Sequence, residues 1–150
     1  MRSFKMPVER ISGLQTRPLR KKILRPDLTM DQLNYNGDED ETSAHFGYIE
    51  DDAIKGIATL YNSNTDALDQ SKNMYRLRGM AVEEDLRGKG IGSKLIASCV
   101  KFAKENGGDL IWCDARLEAT EFYKSLGFKI QGDQYIVKNV GPHYLMYLDL

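Results

Sequence analysis

The chain is poor in cysteine, histidine, tryptophan and proline, with two, two, one and four of these among its 150 residues. Two thiols are too few for a disulfide framework in a chain of this length. Cys99 and Cys113 also lack the spacing of zinc ligands, so we expect reduced thiols and no metal. This use of cysteine favours a location in the cytoplasm.

Long apolar runs and an excess of charge of one sign are also missing. No apolar stretch approaches the roughly 20 residues of a membrane-spanning helix. The first seven residues, Met1 to Pro7, contain no apolar core of signal-peptide length. Lys and Arg total 21 against 22 Asp and Glu, so no global positive field attracts nucleic acid or an anionic membrane. We therefore expect a cytoplasmic protein without nucleic-acid or membrane partners, which captures any anion locally.

The length and composition are those of one globular domain. With 41% hydrophobic and 29% charged residues, the chain falls within the ordinary range for folded proteins. The sequence contains no internal repeats and no low-complexity tracts. We expect a single domain over residues 1–150. A homodimer is compatible with this sequence, although no residue pattern indicates one.

The periodicity of apolar residues predicts alternating strands and helices. A short helix is expected over 18–24, before Arg25-Pro26, with a second helical segment allowed after Thr29 and a solvated acidic loop at 36–41. The predicted strands cover 45–50, 54–61, 75–82, 110–113, 128–137 and 144–148. Of two further helices, one begins near Gly90 and ends at Asn106-Gly107-Gly108, and the other covers 119–126. This order, α-(α)-β-β-β-α-β-α-β-β, predicts an α/β fold of the mixed α+β type, with helices on the faces of a mixed sheet.

A glycine-rich segment lies between the strand that ends near Val82 and the helix that begins near Gly90. Its residues are Arg87-Gly88-Lys89-Gly90-Ile91-Gly92-Ser93. A helix N-terminus presents unpaired backbone N–H groups and a partial positive charge, so it binds an anion that can approach closely. Glycines permit that approach, and Arg87 and Lys89 add cations. The alternative interpretation is that the glycines only form a tight loop and a helix start.

Two better-known phosphate-binding patterns do not fit this segment. The P-loop pattern requires a glycine, four further residues and then Gly-Lys-Ser/Thr, which no glycine here satisfies. The dinucleotide-binding pattern Gly-x-Gly-x-x-Gly fails because Ser93 occupies the position of its third glycine. Neither nucleotide-binding fold is supported.

Two segments carry a resemblance to a known family. The run Arg87-x-x-Gly90-x-Gly92, preceded by the strand 77–82 (Leu-Arg-Gly-Met-Ala-Val), resembles the Arg/Gln-x-x-Gly-x-Gly/Ala motif of the GNAT superfamily of N-acetyltransferases. The segment 119–128 (Ala-Thr-Glu-Phe-Tyr-Lys-Ser-Leu-Gly-Phe) resembles the later helix of that superfamily and the start of its next strand. The resemblance covers residues 44–150 and implies a GNAT-like, mostly antiparallel sheet and transfer of an acetyl group from acetyl-CoA to an amine.

The resemblance also implies how the cosubstrate is bound. The backbone N–H groups of the loop hold the pyrophosphate of CoA, at Arg87, Gly88, Lys89, Gly90, Ile91, Gly92 and Ser93. The pantetheine arm runs along Met80, Ala81 and Val82 like an added strand. Most of this binding is expected from the backbone rather than from side chains, with no metal required.

Two residues are candidates for proton transfer. Tyr123 matches the tyrosine that often protonates the departing thiolate in the superfamily, and the alternative interpretation is a core tyrosine. A free amine has a pKa near ~10, so a group must accept its proton. We name His143 as this base because a neutral imidazole titrates in the useful range. Asp114 and Glu118 are alternatives, although solvation or helix N-terminal charge also accounts for them.

The acceptor, an amine of a small molecule or of a protein, is not identified by the sequence. Arg116 stands where many members of the superfamily carry Asn, which favours an acidic acceptor, whereas the run Asp38 to Glu41 favours a cationic one. A non-catalytic CoA-binding sensor or protein-interaction module of the same fold is the alternative function. A nucleic-acid-binding domain would require a basic face, which the balanced charge argues against.

Overall fold

The computed structural model describes residues 7–150. The expectation that the chain begins without a signal peptide concerns residues 1–6, which lie outside the described residues. The helices are α1 (Gly13–Leu19), α2 (Ile91–Glu105) and α3 (Thr120–Ser125). The strands are β1 (Val8–Ile11), β2 (Ala44–Glu50), β3 (Ala53–Asn62), β4 (Met74–Val82), β5 (Leu110–Arg116), β6 (Lys129–Val137) and β7 (Gly141–Asp149).

The seven strands form a sheet in the order β1-β2-β3-β4-β5-β7-β6. The pairs β1–β2, β2–β3, β5–β7 and β6–β7 are antiparallel. Strands β4 and β5 are parallel, with residues 74–76 paired to residues 110–112. A parallel pair requires a long crossover, which α2 supplies between these two strands. The predicted fold class, a mixed and mostly antiparallel sheet flanked by helices, is confirmed.

The chain forms two compact units. The first contains the described residues up to Tyr61 together with Gly79–Cys99, and the second contains Asn62–Arg78 and Val100–Leu150. Strand β4 and helix α2 each contribute residues to both. Buried apolar side chains stabilise each unit. In the first they include Leu19, Ile57 and Ala81, and in the second Met74, Leu110, Trp112 and Leu145.

The N-terminal region differs from the prediction. Helix α1 begins five residues before the predicted helix because Ser12 and Gln15 form a reciprocal capping box. The predicted range 18–24 mostly covers a π-helix, Arg20–Leu24, in which Arg25 N–H donates to the Arg20 carbonyl at 2.8 Å. The second segment after Thr29 is one 3-10 turn, Asp31–Leu33. Strand β1 was not predicted, since its four residues are only half-buried or exposed.

Elsewhere the predicted elements are present, with small shifts at their ends. The hairpin of β2 and β3 turns at Asp51 and Asp52, whose φ angles of 54° and 62° suit a tight hairpin turn. Gly127 has a φ of 96° and follows Leu126, the C-terminal cap of α3, as expected for a glycine that ends a helix. Within residues 7–150, no helix is both long enough and apolar enough to cross a membrane.

Candidate functional site

The loop before α2 exposes a series of unpaired backbone donors. Residues 87–90 are exposed, and Ile91 begins a helix of 15 residues. The Lys94 N–H already donates to the Gly90 carbonyl at 3.2 Å. Across the described chain, by contrast, no backbone or side-chain acceptor receives the N–H groups of residues 88–93. Several unpaired donors therefore converge at the positive end of a four-turn helix dipole.

Two glycines give this loop its shape. Gly88 and Gly90 both have a φ of 80°, in the left-handed region that residues with a Cβ rarely adopt. A Cβ placed on either glycine would have no atom within 4 Å, so open space surrounds both backbones. The loop therefore has room for a ligand beside these two glycines, and the exposed residues Arg87 and Lys89 add positive charge.

Strand β4 leads into this loop within the same unit. Ala81 is buried, whereas Met80 and Val82 are half-buried. Gly79 has a φ of 67°, which interrupts the extended geometry of the strand immediately before Met80. Arg87 donates through Nε to the Val82 carbonyl at 3.4 Å, linking the loop to the strand end. The structure thus places all ten predicted cosubstrate-binding residues on one continuous strand-loop-helix segment of the first unit.

Tyr123 belongs to the second unit and is 8% exposed. Its ring lies 5.3 Å from that of Phe122 and 5.2 Å from that of Phe128, centroid to centroid. The ring is therefore part of an aromatic cluster, which agrees with the alternative interpretation of Tyr123 as a core residue. Because this packing concerns the ring and not the hydroxyl, the catalytic role of Tyr123 stays a prediction.

His143 is buried in β7, also in the second unit. Its Nδ1 lies 2.8 Å from the Gly141 carbonyl oxygen. A carbonyl can only accept, so Nδ1 is the donor in this contact, and in the neutral form of the ring Nε2 is the acceptor. The Tyr135 ring stacks on the imidazole at 6.0 Å between centroids. The arrangement gives His143 the tautomer that a base requires.

A charged cluster missed by the sequence analysis adjoins His143. The Tyr135 hydroxyl donates to Asp114 Oδ1, and Arg76 Nη2 donates to Asp114 Oδ2 at 2.9 Å. Burial, together with the hydrogen bond to Asp114, raises the pKa of Tyr135, so its hydroxyl remains a donor at neutral pH. The sequence indicates Asp114 as an alternative base but gives no sign of Arg76 or Tyr135, because the cluster assembles from three separate strands.

The acidic loop is not fully solvated, and that expectation was wrong for Asp38. The side chain of Asp38 is buried and pairs with Arg20 at 2.7 Å. Glu39, Asp40 and Glu41 are exposed, as expected. The carboxylate of Asp38 is thus paired with Arg20 inside the fold. Of the four acids in this run, the other three are the ones that could attract a cationic acceptor. In the described part of the chain, no group of three or more His, Cys, Asp or Glu residues could hold a metal ion.

Both thiols are expected to be unreactive in the folded protein. Cys99 is fully buried and Cys113 nearly so. Burial raises the pKa of Cys99 to about 12 and raises that of Cys113 as well. Since the thiolate is the nucleophile, an aromatic disulfide reagent at pH 8 should label neither cysteine in buffer and both in urea. A thiol that titrates rapidly in the native protein would contradict this expectation.

Comparison with known proteins gives the same answer as the motifs. The model of the acetyltransferase (GNAT) family matches residues 9–128. The "Uncharacterized N-acetyltransferase YitI" of Bacillus subtilis (strain 168) is 34% identical over 145 residues, which are 97% of each chain.

Solved structures share the fold. An aminoglycoside 6'-N-acetyltransferase complexed with coenzyme A aligns with a TM-score of 0.76 at 15% identity, over 96% of this chain and 97% of that one. ElaA of Escherichia coli aligns with a TM-score of 0.74 at 17% identity, over 93% of this chain and 97% of that one. The family match begins at residue 9, whereas the resemblance from the motifs begins at residue 44. The match covers residues of both units. The chain belongs to the acetyltransferase (GNAT) family.

Proposed function

We propose that this chain, acting as a single domain, transfers an acetyl group from acetyl-CoA to a primary amine of a small molecule or protein. The family is that of acetyltransferases, and the proposal adds the donor, the acceptor class and the residues. The location proposed from composition is the cytoplasm. The proposal names no particular amine, because the aminoglycoside 6'-N-acetyltransferase among the structural neighbours is only 15% identical to this chain.

The observation that carries the proposal is the row of unpaired N–H groups at residues 88–93. They lie at the start of a long helix, next to two exposed cations, and the Cβ positions of Gly88 and Gly90 among them are open. A diphosphate suits this arrangement, because it brings several negatively charged oxygens to a set of backbone donors and the positive end of the helix dipole. The residues present therefore fit the pyrophosphate of CoA.

The proposed reaction is direct attack of the amine on the thioester. The amine attacks the thioester carbonyl to form the C–N bond, and His143 accepts the proton that the amine loses. The tetrahedral oxyanion then collapses with cleavage of the C–S bond, and Tyr123 protonates the departing CoA thiolate. A backbone donor of residues 80–82 stabilises the negative charge on the carbonyl oxygen, and removal of such a donor typically costs on the order of 3 kcal/mol. The buried thiols with raised pKa values argue against a cysteine-bound acyl intermediate.

The proposal is tested by two measurements on one preparation. Binding of acetyl-CoA is measured by calorimetry, and release of the CoA thiol is followed with a panel of amines, with product masses recorded. Saturable binding with amine-dependent thiol release and a mass gain of one acetyl group is expected. Binding without release across the panel would favour the non-catalytic CoA-binding module. Failure to bind acetyl-CoA at all would overturn the proposal.

Tyr123→Phe is expected to lower kcat by roughly 10- to 100-fold and leave the Kd of acetyl-CoA nearly unchanged. The substitution removes the proposed donor to the leaving thiolate, an effect within the range of general acid catalysis. The ring contacts with Phe122 and Phe128 are retained, so the variant should remain folded. Steady-state kinetics and calorimetry check both parts. Tyr147→Phe, a half-buried tyrosine of β7, is the control, and equal turnover in the two variants would remove Tyr123 from the mechanism.

His143→Gln is expected to lower kcat/KM by about 100-fold or more, because glutamine cannot accept the proton of the amine. Asp114→Asn is the matched comparison, since it neutralises the rival base and keeps the side-chain shape. Rates for both variants are measured over a range of pH with one amine. A larger loss in Asp114→Asn than in His143→Gln would transfer the role of base to Asp114.

A further inference from the structure

The first unit contains a fully buried arginine that no part of the proposed reaction uses. Arg20 begins the π-helix and is 0% exposed. Its Nη1 donates to the Leu33 carbonyl at 2.9 Å and to Asp38 Oδ2 at 2.7 Å. Its Nη2 donates to Asp38 Oδ1 at 3.2 Å and to Thr59 Oγ1 at 3.0 Å. The guanidinium is therefore held from two sides, by the loop before β2 and by β3.

Asp38 is held as firmly as its partner. The Tyr61 hydroxyl donates to Oδ1 at 2.5 Å, and the Tyr35 backbone N–H donates to Oδ2 at 2.9 Å. Burial alone would raise the pKa of Asp38, but the hydrogen bonds from Arg20 and Tyr61 outweigh it and lower that pKa. The carboxylate is therefore ionised at neutral pH, and the ion pair forms a rigid element within the fold.

The guanidinium also stacks on an aromatic ring and approaches strand β4. The Tyr35 ring stacks on Arg20, with the guanidinium carbon 4.2 Å from the ring centroid. Arg20 Nε lies 3.4 Å from the position that a Cβ on Gly79 would occupy, and Nη2 lies 3.8 Å from it. Nε is buried and has no hydrogen-bond partner among the described residues. Tyr35 Cε2 also lies 3.8 Å from that Cβ position, so Arg20 and the ring stacked on it both adjoin β4 at Gly79.

This contact falls at the one residue of β4 with left-handed geometry. Gly79 has a φ of 67°, and the next three residues are those to which the proposed function assigns binding of the thioester. A buried ion pair is a weak source of stability, since well-packed apolar side chains often stabilise as much or more. The Arg20 guanidinium, held in place beside Gly79, does limit the positions that the backbone of β4 can adopt there.

We propose that Arg20 is a positioning residue, which packs against Gly79 and fixes the backbone of residues 80–82 for the acyl thioester. The role rests on the proposed function. Asp38 and Tyr35 hold the guanidinium in place, and Gly79 transmits its position to the strand. Small displacements at a reacting centre reduce rates by up to about 100-fold, so this contact influences turnover more than cosubstrate binding.

Arg20→Lys tests the proposal because lysine keeps the charge but lacks the planar, two-pronged guanidinium. Arg25→Lys is the matched control, since Arg25 makes the same kind of two-pronged pair with Asp27 at the surface. Amide hydrogen exchange of residues 80–82 is compared with that of β2, below the melting temperature of each variant. In Arg20→Lys we expect roughly tenfold faster exchange at residues 80–82 alone, a fall in kcat of about tenfold or more, and a Kd for acetyl-CoA within about threefold of wild type.

Gly79→Ala provides a second test that leaves the ion pair intact. The added methyl fits at 3.4 Å from Arg20 Nε, but the φ of 67° is unfavourable for alanine, so the strand must shift at this contact. The same fast exchange and reduced kcat are expected. Because strain at position 79 alone also produces them, this variant can only overturn the role, and it does so by unchanged exchange if Arg20→Lys does not fold. Unchanged exchange at residues 80–82, or changes equal to those in Arg25→Lys, would overturn the positioning role. A wild-type protein that fails to bind acetyl-CoA would instead overturn the proposed function, and the exchange comparison would still decide the role of Arg20.

Discussion

Gly90→Asp is expected to raise the Kd of acetyl-CoA by about 100-fold or more. The substitution places a carboxylate among the N–H groups that are proposed to bind a diphosphate, directly after Lys89. Losing two charge-assisted hydrogen bonds costs about 1.5–3 kcal/mol each, and a tenfold change in Kd corresponds to about 1.4 kcal/mol. Repulsion between like charges adds to this loss. Calorimetry with acetyl-CoA measures the effect directly.

Backbone strain must be separated from this electrostatic effect. Any residue with a Cβ at position 90 is strained, because the φ of 80° lies in the left-handed region. Gly107→Asp is a matched control, since Gly107 has a φ of 77°, follows the far end of α2 and has no atom within 4 Å of the position that a Cβ would occupy. It should lower stability to a similar extent and leave the Kd unchanged. A folded Gly90→Asp protein with wild-type affinity would contradict the assignment of residues 87–93.

Local patterns in the sequence predict the elements that surround the proposed cosubstrate site. Strand β4 alternates between two faces, and α2 repeats apolar residues at helical spacing, so their period identifies each. The loop between them is recognisable because glycine spacing and helix position lie within a few consecutive residues. Backbone binding requires no distant partner, and a short segment of sequence therefore carries the information for it.

Contacts between distant residues account for what the sequence could not predict. Asp38 lies in a run of four acids that is typical of a solvated loop, and its buried partner Arg20 is 18 residues earlier. The cluster of Arg76, Asp114 and Tyr135 likewise assembles from β4, β5 and β6. Each of these residues has an unremarkable neighbourhood in the sequence. Only the folded chain brings these side chains together.

Strand β1 illustrates a different limit. Its residues, Val8–Ile11, follow no clear alternation, and the strand lies at an edge of the sheet. An edge strand has one neighbour, so its burial pattern is weak. Its register with β2, from Val8 opposite Tyr48 to Ile11 opposite His45, is determined by β2 rather than by its own sequence. Pattern analysis therefore fails where tertiary pairing supplies most of the stabilisation.

Asp38→Asn is expected to lower the free energy of unfolding by about 3–5 kcal/mol at pH 7. The asparagine leaves the charge of Arg20 buried without a counter-ion, and removal of one partner of a buried ion pair costs about this much. For a chain of this size, 1 kcal/mol corresponds to about 2–4 °C, so the melting temperature should fall by roughly 10 °C. Urea unfolding and calorimetry measure both quantities. Asp40→Asn, at an exposed acid of the same loop, should change the free energy of unfolding by no more than about 0.5 kcal/mol and the melting temperature by no more than about 2 °C.

The same pair gives this effect a defined dependence on pH. Because the pKa of Asp38 is lower in the folded protein than in the unfolded chain, its ionisation stabilises the fold above the unfolded value, which is about 3.9. This contribution is lost as the pH falls from that value through the lowered pKa of the folded state. The stability difference between wild type and Asp38→Asn should thus be constant from pH 5 to 7 and shrink below about pH 4. A difference that persists unchanged to acidic pH would show that packing, and not the charge of Asp38, accounts for the loss.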